Sequence, residues 1–195
     1  MFIDSQIKCQ MLKGSIEIIC GSMFSGKTEE LLRRLKRAEF AKQKVAVFKP
    51  LIDTRYDARK IVSHDSNAIK SKPVKLAIEI LDQIDNAEVI AIDEAQFFDK
   101  ELIRISNLLA NQGKRVIIAG LDMDFKGKPF GIMPDLLAIA EHITKVHAIC
   151  IECGTAANHS YRLTKNQQLI ELGDKLEYKA LCRDCFFEKE DNGSE

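Results

Sequence analysis

The 195-residue sequence lacks a net charge and lacks any long hydrophobic run. Its 29 Lys and Arg residues balance 29 Asp and Glu residues, so no net field would draw the chain to nucleic acid or to an anionic membrane. No apolar stretch approaches the roughly 20 residues of a membrane span, and the first residues do not resemble a secretory signal. We therefore expect a cytoplasmic protein with reduced thiols, one well-formed core and at most a small additional module.

The sequence does contain an octapeptide, residues 21–28, that fits the phosphate-binding pattern G-x-x-x-x-G-K-[ST]. Gly21 and Gly26 allow the backbone to curl, so that successive N–H groups point at phosphate oxygens. Lys27 is placed to reach the β- and γ-phosphates, and the Thr28 hydroxyl is placed to bind Mg²⁺. The candidate nucleoside triphosphate and Mg²⁺ site is the whole octapeptide: Gly21, Ser22, Met23, Phe24, Ser25, Gly26, Lys27 and Thr28.

Apolar runs alternate with segments of helical composition along the first three quarters of the chain. Strands are predicted at residues 15–20, 44–49, 87–92, 115–119 and 143–149, and helices at 28–43, 76–84, 102–111 and 134–141. A polar stretch at 51–73 shows no periodicity and reads as a long loop, a type that is usually functional or mobile. This alternation predicts an α/β fold, in which a parallel sheet is flanked by helices on both faces.

Asp93 and Glu94 directly follow one of the apolar runs. In P-loop proteins an acidic group at the end of a neighbouring strand completes the Mg²⁺ site, which is the role expected of Asp93. Glu94 could then act as general base, giving an ATPase if water attacks the γ-phosphate and a kinase if a substrate hydroxyl attacks. Ala95 and Gln96 complete the candidate nucleotide site, although Gln96 could equally be a surface residue.

Two C-x-x-C pairs, Cys150 with Cys153 and Cys182 with Cys185, are separated by 28 residues. Four thiolates satisfy tetrahedral Zn²⁺, so a structural zinc site is favoured over a redox pair or a disulfide framework. The prediction is a RecA-like P-loop core with a small C-terminal zinc-binding domain. We place an N-terminal extension at 1–14, the P-loop domain at 15–149, the zinc-binding domain at 150–187 and a disordered tail at 188–195.

Together these features resemble the type II thymidine kinases. The resemblance runs from about residue 15 to residue 187 and rests on six blocks in the order of that family. The blocks are GSMFSGKT (21–28), FKPLIDTRY (48–56), SHD (63–65), IDEAQFF (92–98), AGLDMDFKGKPFG (119–131) and YKALCRDC (178–185).

The resemblance implies ATP-dependent phosphoryl transfer to the 5′-hydroxyl of thymidine, with Glu94 as the base and Asp93 helping to hold Mg²⁺. It assigns Asp53, Thr54 and Arg55 to the phosphate site. It also implies that the segment between the cysteine pairs forms a lasso over the base and is held at its root by zinc. Thymine would then lie near Phe125 and Tyr178 and against the backbone of Leu169, Ile170, Glu171, Leu172 and Gly173.

The family further implies a homotetramer, feedback inhibition by thymidine triphosphate (dTTP) and a Met23 that borders the nucleoside pocket. This chain departs from the family at Ser160, where members usually have Thr. Serine keeps the hydroxyl but loses the methyl group that helps to shape the pocket around the thymine methyl.

Two other functions remain open from the sequence. A RecA-like ATPase acting on nucleic acid through a zinc ribbon would share the P-loop and the acidic strand end, but the neutral net charge argues against it. A non-catalytic module that holds nucleotide as a structural ligand would not need the intact set of Lys27, Thr28, Asp93 and Glu94.

Overall fold

The computed structural model describes residues 14–53, 60–62, 68–164 and 177–192, and every structural statement concerns these residues. The strands are β1 (Ser15–Cys20), β2 (Val45–Pro50), β3 (Lys60–Val62), β4 (Ala68–Lys70), β5 (Lys72–Val74), β6 (Val89–Ile92), β7 (Arg115–Gly120), β8 (His142–Lys145), β9 (Ala148–Ile149), β10 (Ala156–Ala157), β11 (His159–Arg162) and β12 (Tyr178–Leu181). The α-helices are α1 (Lys27–Phe40), α2 (Glu101–Asn111), α3 (Met133–Ile139) and α4 (Arg183–Asn192). Two 3-10 helices cover Ala77–Gln83 and Ala95–Phe97.

Six strands form one parallel sheet in the order β5-β2-β6-β7-β1-β8. Because all of them run in the same direction, the carboxyl ends of β1, β2, β6 and β7 meet at one edge of the sheet. The predicted α/β class with a parallel sheet is confirmed.

Helices cover both faces of this sheet. Along β1, Ile16 and Ile18 join the core formed with α2, α3 and the first 3-10 helix, whereas Ile19 joins the core formed with α1. Side chains alternate between the faces of a strand, so a strand that is buried on both faces reads as a continuous apolar run. This explains why the runs at 87–92 and 115–119 identified strands in the sequence.

Some boundaries differ from the sequence prediction. The stretch 51–73 contains the three-residue strands β3 and β4 and the start of β5, which are too short to show periodicity. The segment predicted as a strand at 143–149 is divided into β8 and β9. Residues 188–192, which we assigned to a disordered tail, form the end of α4.

The C-terminal strands and α4 enclose a small core of their own. The antiparallel pairs β9–β10 and β11–β12 pack with α4 around a few fully buried side chains. Those side chains are Ala148, Cys150, Ala157, Ala180, Leu181 and Phe186. We refer to residues 148–164 and 177–192 as the C-terminal module.

A buried ion-pair cluster joins the elements on both sides of the P-loop. Glu17 of β1 accepts hydrogen bonds from Arg115 of β7 at 2.5 and 3.0 Å and from Arg34 of α1 at 2.7 Å. Arg34 also donates to Thr144 of β8 at 2.8 Å. Burial raises the pKa of Glu17, but the two arginines lower it by more, so its net pKa lies below the ordinary value of 4.5.

We expect Glu17→Ala to lower the free energy of unfolding by about 3 kcal/mol, because it leaves Arg115 without its carboxylate and Arg34 with the Glu30 carboxylate alone. The pKa of Glu17 is lower in the folded chain, so its stabilising contribution is present above pH 4.5 and is lost as the pH falls through the folded pKa. Urea unfolding between pH 7 and pH 3 measures both effects, and the variant should lose less stability in acid than the parent chain. The matched control is Glu101→Ala, which breaks an exposed pair with Arg104 and should cost under about 1 kcal/mol. Equal losses in the two variants would contradict a structural role for the cluster.

Candidate active site

The P-loop connects the carboxyl end of β1 to the start of α1, and its two glycines are required by geometry. Gly21 has φ 144°, and a Cβ there would lie 2.1 Å from the carbonyl oxygen of Val146. Gly26 has φ 83°, in the left-handed region, and is the residue before the first turn of α1. No residue with a side chain would fit at Gly21, and one at Gly26 would be strained. Glycine at both positions therefore allows the loop conformation that brings the helix N-terminus to the sheet edge.

The carbonyl oxygen of Ser22 organises the polar side chains of the loop. It accepts a hydrogen bond from Lys27 Nζ at 2.7 Å and another from Ser25 Oγ at 2.7 Å. The ammonium group of Lys27 therefore lies beside the backbone of Ser22, on the opposite side of the loop from its own backbone. Thr28 follows Lys27 in the first turn of α1. A helix N-terminus and a lysine at one loop form a site suited to anions such as phosphate.

Asp93 and Glu94 lie just beyond β6, at the same sheet edge. Asp93 is buried, its N–H donates to the carbonyl of Phe48, and its Oδ1 accepts the N–H of Glu94 at 2.9 Å. Glu94 has φ 53°, a left-handed conformation that is uncommon for a residue with a side chain. Such strained positions concentrate at functional sites, where the surrounding contacts hold them in place.

Gln96 links Glu94 to the neighbouring strand. Its Nε2 donates to Glu94 Oε2 at 2.5 Å, and its Oε1 accepts the N–H of Leu121 at 2.9 Å. The Gln96 side chain is 4% exposed, and Ala95 beside it is fully buried. Gln96 is therefore not the surface residue that the sequence left open, and its side chain fixes the Glu94 carboxylate against the end of β7.

The residues assigned to the phosphate site after β2 are described only in part. Asp53 is buried, its N–H donates to the carbonyl of Pro50, and its Oδ2 lies 3.9 Å from Lys49 Nζ. Thr54 and Arg55 lie outside the described residues.

Phe125 and Tyr178, which the family resemblance assigns to the base pocket, both contact one arginine. The guanidinium carbon of Arg162 lies 3.7 Å from the ring centroid of Phe125. The same guanidinium donates to the Tyr178 hydroxyl at 2.6 and 3.0 Å. Arg162 is 6% exposed, so this charged group is held inside the structure.

The loop that carries Phe125 is shaped by Asp124. Its Oδ1 accepts the N–H groups of Lys126 and Lys128 at 2.8 and 2.9 Å. These bonds hold Phe125 at a fixed position between β7 and α3. Leu169, Ile170, Glu171, Leu172 and Gly173 lie outside the described residues.

The four cysteines of the C-x-x-C pairs come together in the C-terminal module. Their Sγ atoms all lie within 4.8 Å of one another, and those of Cys153 and Cys182 are 3.5 Å apart. Tetrahedral Zn²⁺ with thiolate bonds of about 2.3 Å requires sulfur separations of about 3.8 Å, so the donor set fits zinc. Burial raises the pKa of the Cys150 thiol, but the N–H groups of Cys182, Cys153 and Glu152 outweigh it and lower that pKa to about 6. A thiolate at this position suits a metal ligand.

Comparison with known proteins agrees with this geometry. A family model described as "Thymidine kinase" matches residues 14–186. The chain belongs to the thymidine kinase family. A protein named "Thymidine kinase" from Bacteroides fragilis (strain YCH46) is 56% identical over 186 residues, which are 95% of this chain and 94% of that protein.

Further relatives carry the same name. One from Porphyromonas gingivalis (strain ATCC 33277) is 58% identical over 174 residues, which are 89% of this chain and 85% of that protein. One from Rhodothermus sp. (strain ITI 518) is 56% identical over 173 residues, which are 89% of this chain and 81% of that protein. The resemblance to thymidine kinases drawn from the sequence motifs is therefore confirmed. Among the described residues, none of the helices is long and apolar enough to pass through a membrane.

Sequence reasoning missed one residue of this thymidine kinase family site, Arg162, and it considered Ser160 only for the methyl group that serine lacks. Arg162 and Ser160 lie in the short strand β11, and both are buried. Their side chains make contacts with Tyr178 and with the P-loop respectively. For Arg162, the only signal in the sequence was its place on the same face of a strand as Ser160, because residues two apart point to the same side.

Two cysteine substitutions test the metal site. We expect the purified chain to carry about one zinc ion and Cys182→Ser to lose most of it, because three thiolates and a hydroxyl hold zinc less tightly than four thiolates. Metal analysis after gel filtration measures the content. Cys20→Ala is the matched control, since Cys20 is buried in the sheet core away from the cluster and should retain the metal. Full zinc content in Cys182→Ser would contradict the four-cysteine site.

Proposed function

We propose that this chain is a thymidine kinase that transfers the γ-phosphoryl group of ATP to the 5′-hydroxyl of thymidine, giving thymidine monophosphate. The observation that carries the proposal is the carboxylate of Glu94, which Gln96 holds at the sheet edge where the P-loop lies. Membership of the thymidine kinase family supports the choice of substrate.

In the proposed reaction the P-loop backbone and Lys27 hold the β- and γ-phosphates. Thr28 and Asp93 would hold Mg²⁺, which would supply positive charge to offset the charge that develops on the transferred phosphoryl group. Asp53, with Thr54 and Arg55, belongs to the phosphate site, and Ala95 and Gln96 border it. The burial of Asp53 and Asp93 at neighbouring strand ends supports this arrangement.

Glu94 is the proposed general base and accepts the proton of the attacking hydroxyl. A positioned base must lie within hydrogen-bond reach of that proton, so the orientation of its carboxylate matters. The strained backbone of Glu94 and its bond from Gln96 both restrict this orientation. Gln96 is thus a positioning residue for the base.

Thymidine is proposed to lie by Phe125, Tyr178 and Met23, under a lasso that includes Leu169, Ile170, Glu171, Leu172 and Gly173. The stacking of Arg162 on Phe125 and its bonds to Tyr178 hold the two rings together and support this pocket. Backbone N–H and C=O groups of the lasso can read the edge of thymine, and closing it would exclude water that otherwise hydrolyses ATP.

Further properties are part of the same proposal. The P-loop domain at 15–149 binds ATP, and the zinc-binding lasso domain at 150–187 covers thymidine. The zinc is structural because all four ligands come from the protein. The active form is a homotetramer in the cytoplasm, inhibited by dTTP, and it does not act on nucleic acid. The equal numbers of acidic and basic residues support the last point.

One assay separates this function from the alternatives. ADP release from ATP and Mg²⁺ is measured with thymidine, with single-stranded DNA and with neither. We expect release only with thymidine, because the hydroxyl acceptor completes the site. DNA-stimulated release would instead favour a RecA-like ATPase with a zinc ribbon, and no release under any condition would favour a nucleotide-binding module without catalysis.

A substitution tests the general base. Glu94→Gln keeps the size of the side chain but cannot accept a proton, so kcat should fall at least about 100-fold. The Kd for ATP should change little, because the phosphate contacts are elsewhere. Glu101→Gln makes the same chemical change on an exposed side chain of α2 and is the control. Near-normal turnover of Glu94→Gln would remove Glu94 from this role.

A further inference from the structure

The first half of the P-loop is bonded to the C-terminal module. The N–H of Met23 donates to the Ser160 Oγ at 3.0 Å, although 137 positions separate the two residues in the sequence. Ser160 is 4% exposed, so water cannot readily replace this bond. A loss of the hydroxyl would leave a partly buried N–H without its acceptor, which costs more than a bond lost at the surface.

Neighbouring positions of the loop are held from the same side. The Ser22 hydroxyl donates to the carbonyl of Ala157 over a long 3.4 Å. Phe24, at φ 63°, packs against the small core of the module. Gly21 approaches the carbonyl of Val146, in the segment that leads into β9. Four consecutive loop positions thus rest on residues from 146 onward.

The bond between Met23 and Ser160 also affects the residues that are expected to bind phosphate. Ser22 and Met23 are adjacent, so the bond to Ser160 also restrains the carbonyl of Ser22, to which Lys27 Nζ and Ser25 Oγ donate. A P-loop binds anions because its N–H groups are already arranged before the ligand arrives. Loosening Met23 would therefore disturb the arrangement that Lys27 and the helix N-terminus complete.

We propose that Ser160 is a positioning residue for the ATP site, because its hydroxyl holds the P-loop at Met23 in the shape that binds phosphate. The proposal rests on the function proposed above, in which the P-loop binds ATP. It gives the C-terminal module a part in nucleotide binding in addition to the thymidine pocket. Ser160 pairs with Ala180 across β11 and β12, and β12 leads directly to Cys182 of the cysteine cluster.

The test is nucleotide affinity without thymidine. The Kd for ADP with Mg²⁺ is measured by calorimetry on the full chain with its metal. Ser160→Ala should weaken ADP about tenfold, the size of one lost hydrogen bond. Ser160→Thr keeps the hydroxyl and should bind ADP as the parent chain does. The matched control is Ser106→Ala, since Ser106 is also buried and hydrogen-bonded, to Leu102 within α2, but lies outside the site.

The outcomes separate the two proposals. If Ser160→Ala binds ADP as tightly as the parent and only its KM for thymidine rises, Ser160 acts on thymidine alone and the inference is wrong. If the parent chain itself does not bind ADP, the proposed function fails instead. Metal content and thermal unfolding check that each variant is folded. If Ser160→Ala does not fold, the nearly isosteric Ser160→Cys, whose thiol is a weak acceptor, should weaken ADP, and unchanged affinity there equally overturns the inference.

Discussion

Phe48, Ile92, Ile118 and Ile18 lie in register on four neighbouring parallel strands. A parallel ladder fixes how far each strand extends, so the chain leaves the sheet along one line. Within a few residues of that line come the P-loop after β1, Asp53 after β2, Asp93 and Glu94 after β6, and Leu121 after β7. A slip by one residue in any of these strands would turn its buried side chains to the opposite face, so the core and the site depend on the same register.

Two residues of the site adopt left-handed backbone conformations, which the surrounding contacts at this sheet edge have to stabilise. Phe24 and Glu94 both adopt positive φ although neither is glycine. Such conformations cost free energy and persist only where other contacts over-determine them. Phe24 is held by the core of the C-terminal module, and Glu94 by Gln96 and by the carboxylate of Asp93. Lys42 and Asp85 also adopt positive φ outside the site, but within it the strain lies in the two segments that face the reacting phosphate in the proposed mechanism.

The sequence predicted those parts of the fold and site that depend on local patterns. Apolar runs identified β1, β6 and β7 because strands buried on both faces need them, and fixed spacing identified the P-loop and the cysteine cluster. The bonds from Gln96 to Leu121 and from Met23 to Ser160 join residues 25 and 137 positions apart, and no local pattern carries them. Strands β3 to β5 were not predicted, because a strand of three residues is too short to show an alternation of apolar and polar side chains. The roles assigned to the site residues stay predictions, and Thr54, Arg55 and residues 169–173 also lie outside the described residues.

The two strands that flank the proposed lasso, β11 and β12, are paired with each other at its root. Arg162 pairs with Tyr178 at the end of the β11–β12 ladder, and their side chains are also hydrogen-bonded. Bringing together the ends of a chain segment of this length costs about 2 kcal/mol of loop-closure entropy. The strand pairing and the cysteine cluster offset this entropic cost during folding. The cost is therefore not incurred again when thymidine binds. The same ladder holds Ser160 against Met23, so ordering the root of the lasso also orders the P-loop. Nucleoside and nucleotide sites that share one support would then be assembled together, which favours transfer to the bound hydroxyl over transfer to water.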